Sequence, residues 1–346
     1  MFGWGDLLVL AALGAGVQEA RMTREAPIVI AHRGASGLRP EHTLAAYELA
    51  IEQGADFIEP DLVPTKDGVL VARHENAIQD TTDVAARPQF ADRKTTKTID
   101  GQSITGWFTE DFTLAELKSL RAKERLPQLR PDNAAYDGRF AVPTFDEIIA
   151  LAKRHGVGVY PETKHPSYFR ALGLQLEDAL LASLAKAGWD GADAPVFIQS
   201  FEVANLKALA GRTKVRLIQL MDASGAPADG AASSYAAMAT PEGMKAIARY
   251  AYGIGPNKAL IRPGDGLPTS LVADAHAVGL KVHPWTFRAE NVFLPAGLRD
   301  GTEPHHRGRL AEEIARHLEL GVDGFFTDFP LDGAAARNRI VGASRR

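Results

Sequence analysis

The chain has 346 residues, 45% of them apolar and 24% charged, with a formal charge of −4. That is enough apolar sequence for one large domain or two smaller ones, and the charge gives no global reason to expect nucleic acid or an anionic membrane as partner. The absence of cysteine rules out disulfides, thiolate metal sites and a cysteine nucleophile.

The first feature in chain order is the apolar run Leu7–Val17, long enough for the apolar region of an export signal and too short to span a bilayer. No Lys or Arg precedes it, Asp6 has the wrong sign, and Gln18-Glu19-Ala20 is a poor cleavage site. Residues 1–26 therefore read as a leader or an imperfect signal segment. From residue 27 onward, short apolar runs alternate with helical patterns. The runs are Ile28–Ala31, Phe57–Val63, Val69–Arg73, Gly158–Glu162, Val196–Gln199, Val215–Leu220, Tyr252–Gly255, Lys281–His283 and Gly324–Thr327. The helical stretches are Thr43–Gln53, Thr144–His155, Tyr168–Ala187, Val203–Leu209, Pro241–Tyr250, Pro268–Val278 and Arg309–Leu320. Such alternation predicts an α/β fold with a parallel sheet, and over residues 27–340 a (β/α)₈ TIM barrel matches the length.

Nine strands are one too many for that barrel. Only Pro64–Gly68 separates the second run from the third, whereas a parallel crossover needs a dozen residues or more. Lys66-Asp67-Gly68 is a hairpin signal, so Val69–Arg73 is expected to return antiparallel across the barrel mouth. It would bring His74 back beside Glu59 and Asp61. The polar stretch 75–142 then reads as a small inserted segment, with one helix at Thr113–Lys123 opened by a capping box of Thr113 and Glu116.

The chemistry gathers at the ends of the apolar runs. Glu59 and Asp61 lie two apart, on one face of a strand that is otherwise almost wholly apolar. Carboxylates buried there are costly unless a cation compensates them, and Glu162 ends another apolar run. Three hard oxygen donors suit Ca²⁺ or Mg²⁺ better than Zn²⁺. His32 and His74 each close an apolar run beside this acidic group and are candidates for general acid–base catalysis. Arg33 and Lys164 flank the same mouth and suit a phosphate diester. Glu41 is placed to meet Arg33 or a histidine, or to favour the start of the Thr43 helix. Gln199, Ser200, Trp285 and Arg288 are further mouth candidates. His283, His305 and His306 receive no role.

The stretch VIAHRGASGLRPEHTLAAYELAIEQGADFIEPDLVPTKDGVLVARHE, followed in order by PETK, QSF, WTFR and GVDGFFTDFP, resembles the glycerophosphodiester phosphodiesterase family over Pro27–Pro330. The HRGASGLRPEHT form and the long insertion are closer to its periplasmic, calcium-using branch. The resemblance implies a TIM barrel and one divalent cation, Ca²⁺ ahead of Mg²⁺, on Glu59, Asp61 and Glu162. It also implies His32 and His74 as the acid–base pair, with Arg33 and Lys164 on the phosphate and Glu41, Gln199 and Trp285 around the substrate. The implied reaction hydrolyses a small glycerophosphodiester to glycerol 3-phosphate and an alcohol through a cyclic phosphate. The implied location is the periplasm or outside the cell, with the cytoplasm as the alternative. Neither nucleic acid nor a membrane span is expected. Relatives carry Asn where His42 stands and Asp where Glu75 stands. Two other readings compete: a phospholipase D-like or lysophospholipid phosphodiesterase, its acyl groove lined by Trp107, Phe108, Phe287, Val292, Phe293 and Leu294, and a catalytically silent barrel that binds a phosphorylated ligand.

Overall fold

The computed structural model describes residues 26–344; the Leu7–Val17 run lies outside them, as does the expected leader apart from Ala26. In chain order the strands are β1 (Ile28–His32), β2 (Phe57–Glu59), β3 (Asp61–Pro64), β4 (Leu70–Ala72), β5 (Thr95–Ile99), β6 (Gln102–Gly106), β7 (Gly158–Val159), β8 (Glu162–Thr163), β9 (Phe197–Ser200), β10 (Arg216–Met221), β11 (Gly253–Pro256), β12 (Lys281–Val282) and β13 (Gly324–Thr327). Prolines split two of the predicted runs. Pro60 divides β2 from β3 and Pro161 divides β7 from β8, because proline offers no N–H to the ladder.

Counting each split pair as one strand leaves eight parallel strands in the order β13, β1, β2/β3, β7/β8, β9, β10, β11, β12. The ring closes where the chain beyond β12 meets β13: Phe287 N–H donates to the Phe326 carbonyl (2.9 Å) and Phe326 N–H to the Pro284 carbonyl (3.0 Å). The fold is the TIM barrel. Beneath the mouth its interior is filled by Ile30, Tyr160, Phe197, Ile218 and Phe326, a packed layer rather than a channel. His283 belongs to this layer, its Nδ1 2.9 Å from the Tyr160 hydroxyl.

β4 pairs antiparallel with β3, with Leu62 opposite Ala72 and Val63 opposite Val71, and lifts His74 over the mouth as expected. The capping box of Thr113 and Glu116 is present, but its helix stops at Ser119. The insertion also holds a hairpin that the apolar pattern did not indicate, β5 with β6, turning at Asp100-Gly101. Both turn residues have positive φ, 47° and 79°, the conformation for which Asp-Gly is favoured. The predicted helix Tyr168–Ala187 is two helices, Pro166–Ala171 and Leu176–Lys186, parted at Gly173, whose φ is 75°. A last helix, Pro330–Ser344, was not predicted; it packs on β1 and on the helix Leu310–Glu319. No described helix is long and apolar enough to cross a membrane.

Candidate active site

Strand register assembles the centre of the site. His32 lies opposite Glu59, Asp61 opposite Glu162, and Glu162 opposite Gln199. Glu59, Asp61 and Glu162 each offer a carboxylate oxygen within 4.8 Å of the others, and all three are buried. Burial and the neighbouring charges of Asp61 and Glu162 push Glu59 well above the usual carboxylate range. Burial, opposed by Lys164 but reinforced by Asp61, raises Glu162 to about 8. Asp61 goes the other way: Lys164, a hydrogen bond from His42, and Arg33 outweigh its burial and hold it well below the ordinary value. Two crowded carboxylates that resist ionising beside a third mark a place short of positive charge. Gln199 donates from Nε2 to Glu59 Oε1 (3.0 Å) and leaves its own carbonyl oxygen buried without a hydrogen-bond partner. An all-oxygen donor set of this kind fits a hard divalent cation.

The loop after β1 folds tightly around this triad. Arg33 takes a left-handed backbone, φ 60°, which turns its N–H onto Glu59 Oε2 (2.8 Å) and sets its Nε 3.2 Å from Asp61 Oδ2. Gly34 follows at φ 87°, where a side chain would collide with the backbone of Ala46. Glu41 does not reach the cavity: its carboxylate accepts from Arg33 Nη1 (3.2 Å) and Arg125 Nε (3.0 Å), so it holds Arg33 rather than facing a substrate. His42, at φ 56°, donates from Nε2 to Asp61 Oδ2 (2.9 Å) and accepts from the Tyr47 hydroxyl at Nδ1 (2.7 Å). Histidine is among the residues enriched in that backbone region.

The two candidate histidines each have Nδ1 committed to a carboxylate. His32 Nδ1 donates to Asp328 Oδ1 (2.6 Å), and His74 Nδ1 to Glu75 Oε1 (2.8 Å). Each ring therefore presents Nε2 as an acceptor, and that of His74 already meets an ammonium. His74 Nε2 lies 3.3 Å from Lys164 Nζ, which also pairs with Glu162 Oε1 (3.0 Å). Burial first, then the charges of Arg33 and Lys164, bring His74 down to about 3; burial and Arg33 bring His32 to about 4. Asp328 also accepts from Arg130 Nη2 (2.5 Å) and Arg288 Nε (3.0 Å).

These groups surround a cavity of about 510 Å³. His32, Arg33, Glu59, His74, Glu162, Lys164, Gln199 and Trp285 all line it, together with Arg125 and Arg288. Trp285 donates from Nε1 to the Gly255 carbonyl (2.8 Å) and meets Phe201 edge to face. Of the six side chains expected to line an acyl groove, only Phe293 reaches the cavity. Trp107, Phe108, Phe287 and Leu294 are buried elsewhere, and Val292 is exposed. Sequence reasoning missed Asp328, Arg130, Arg125 and His165. Asp328 alone had a signal, since it ends the apolar run Gly324–Thr327 just as Glu162 ends its own.

A closed barrel carrying buried acids, carboxylate-bound imidazoles and cationic side chains at its mouth has the constitution of a barrel enzyme that works by acid–base chemistry. The profile of the glycerophosphoryl diester phosphodiesterase family matches residues 32–332. A glycerophosphodiester phosphodiesterase of Arabidopsis thaliana is 40% identical over 321 residues, covering 88% of this chain and 84% of its own. One from Haemophilus influenzae is 32% identical over 343 residues, with 88% of each chain covered. Among solved structures, a Silicibacter pomeroyi glycerophosphoryl diester phosphodiesterase superposes with a TM-score of 0.62 at 23% identity, covering 93% of this chain and 95% of that one. An Oleispira antarctica phosphodiesterase in complex with the product sn-glycerol-3-phosphate gives 0.60 at 22% identity, over 90% and 96%. These two similarities speak to the fold. The chain belongs to the glycerophosphoryl diester phosphodiesterase family, whose members are phosphoric diester hydrolases.

Proposed function

We propose that this family member hydrolyses small glycerophosphodiesters to glycerol 3-phosphate and an alcohol, with His32 and His74 as its acid–base pair. The observation that carries this reading is that Glu59, Glu162 and both imidazoles line one cavity, with Asp61 buried directly behind them within reach of the same cation. Arg33 and Lys164 hold the phosphate from two sides of the acidic triad, as fork and point charge. Gln199 and Trp285 shape the space beside it, and Glu41 keeps Arg33 in place. A divalent cation on Glu59, Asp61 and Glu162, Ca²⁺ ahead of Mg²⁺, would supply charge stabilisation to a phosphate oxygen and acidify the adjacent glycerol hydroxyl. One imidazole takes that hydroxyl's proton as its oxygen attacks phosphorus, and the other protonates the departing alcohol oxygen. The resulting cyclic phosphate is opened by water, with the two rings exchanging roles. The site of action is the periplasm or outside the cell, with the cytoplasm as the alternative; the reading rests on the motif form and the long insertion, against the poor flanks of the Leu7–Val17 run, and fractionation of the native host would check it.

The test is release of glycerol 3-phosphate from glycerophosphocholine by the purified chain, chelated and then resupplied with Ca²⁺ or Mg²⁺. Cation-dependent release, lost in His32→Ala and Glu59→Ala, is expected. No release with either cation from folded protein refutes the assignment. Lysophosphatidylcholine run alongside decides the competing lipid-tailed reading, since Leu126, Phe201, Leu220, Trp285 and Phe293 give the cavity an apolar side; faster turnover of the lysolipid than of glycerophosphocholine would favour that reading instead.

A further inference from the structure

Among the described residues, four non-glycine positions have a left-handed backbone: Arg33, His42, Asp100 and His165. Such conformations persist only where the surroundings over-determine them. Arg33 and His42 build the site described above. Asp100 and His165 lie 65 residues apart, one at the tip of the inserted hairpin and the other directly after Lys164, and they bond to each other. His165 Nδ1 donates to Asp100 Oδ2 at 2.6 Å. The same ring donates from Nε2 to Glu75 Oε2 at 3.1 Å, and the other oxygen of Glu75 takes the Nδ1 proton of His74. A continuous line of hydrogen bonds thus runs from the insertion to one of the two rings proposed to move protons.

A bond between Asp100 and His165 alone would be enough to fasten the hairpin to the barrel. The line goes further, and its last bond decides which nitrogen of His74 faces the cavity. Glu75 is a flexible carboxylate with its side chain 41% exposed; without a second anchor it would sample several rotamers. His165 supplies that anchor. Both of its nitrogens face carboxylates, which outweigh its burial and hold it protonated, its pKa raised to about 9. As an imidazolium it offsets much of the charge of Glu75, leaving Glu75 to orient His74 more than to raise its basicity.

We propose that His165 and Asp100 are positioning residues for His74, acting through Glu75, and that the inserted hairpin is thereby a working part of the active site. The proposal rests on the reading of His74 as an acid–base group. The test compares kcat and KM for glycerophosphocholine in the full chain and in Asp100→Gly, His165→Asn, Glu75→Ala and the Glu75→Ala/His165→Asn pair. Gly and Asn tolerate the left-handed backbone, so neither substitution adds strain. Each single change is expected to lower kcat on the order of ten- to a hundredfold while KM stays within about threefold. Adding His165→Asn to Glu75→Ala is expected to cost nothing more. The proposal is overturned if Asp100→Gly and His165→Asn keep kcat within twofold of wild type, or if the losses multiply in the double variant. Should His165→Asn melt, Asp100→Gly decides, since it changes only an exposed turn. A wild-type chain that turns over no glycerophosphodiester overturns the catalytic reading and this one together, whereas an active wild type with indifferent variants removes the positioning role alone.

Discussion

Asp328→Asn is the sharpest probe of the proposed acid–base pair, because the amide it creates must choose between two environments. One oxygen of Asp328 accepts from His32 Nδ1 (2.6 Å); the other accepts from Arg130 Nη2 (2.5 Å) and Arg288 Nε (3.0 Å). Turning the new NH₂ toward the arginines forfeits two charge-assisted bonds, each worth about 1.5–3 kcal/mol. Turning it toward His32 forfeits one. The second orientation therefore wins, and His32 must then accept at Nδ1 and carry its proton on Nε2. That is the wrong tautomer for a ring whose Nε2 has to accept, an error that costs about a thousand- to ten-thousandfold in kcat where a histidine base depends on a carboxylate in this way. Stability falls too, since Arg130, with its side chain 4% exposed, loses one of its two ion pairs among the described residues and retains that with Glu290. Losing one partner of a buried ion pair costs about 3 kcal/mol, which thermal melting would detect while leaving the chain folded at 25 °C. The assay is glycerol 3-phosphate release with melting measured on the same preparation. Folded Asp328→Asn with turnover within about tenfold of wild type would refute the assignment of His32 and the tautomer argument behind it.

Three further outcomes are expected. Calcium or magnesium at a hundred times its dissociation constant should stabilise the chelated protein by about 2.7 kcal/mol, and Glu59→Gln should abolish that shift in melting temperature; a wild type indifferent to both ions would contradict the cation site. Buried His283 and His317 are each brought down to about 4 by burial, so the folded chain holds both neutral while the unfolded chain protonates them below about 6.5. Stability should be complete above that pH and decline toward pH 4 by up to about 3 kcal/mol per ring, and urea titrations showing equal stability at pH 7.5 and 4.5 would contradict it. Gly37→Ala should drive a methyl group into the ring of Phe329, costing about 1–3 kcal/mol and lowering kcat as well, because Phe329 adjoins Asp328 and the Gly37 N–H donates to the Asp328 carbonyl (3.0 Å); unchanged melting would show that the ring has room to yield.

The parts of the site legible in the sequence are those that strand register brings together. Parallel strands buried on both faces read as apolar runs, so an acid or a histidine at the end of one stands out. Neighbouring strand ends in a closed barrel are neighbours in space. That is how His32, Glu59, Asp61 and Glu162 could be grouped, and the antiparallel return that carries His74 followed from a link too short for a crossover. What was misread lacked such a pattern. The hairpin of β5 and β6 is largely exposed and rich in Thr, so no apolar alternation marks it, although Asp100-Gly101 is a strong turn signal. The last helix, Pro330–Ser344, is dominated by Ala, Gly and Arg and shows no apolar stripe of helical period.

The carboxylates and cations behind the candidate catalytic groups were harder to read for a different reason. Arg125 and Arg130 reach the mouth from the insertion, and His165 from a turn in a backbone conformation that only local strain reveals. Their distances from their partners in sequence, 84 residues from Arg125 to Glu41 and 198 from Arg130 to Asp328, are set by loop paths that obey no period. Asp328 is the instructive exception. It ends an apolar run just as Glu162 does, but at the far end of the chain from the other acids, and its role shows only when β13 is laid beside β1 and Thr327 falls opposite Ala31. The pairing of the last strand with the first, more than any motif, turns the last strand's terminal acid into the partner of the first strand's histidine.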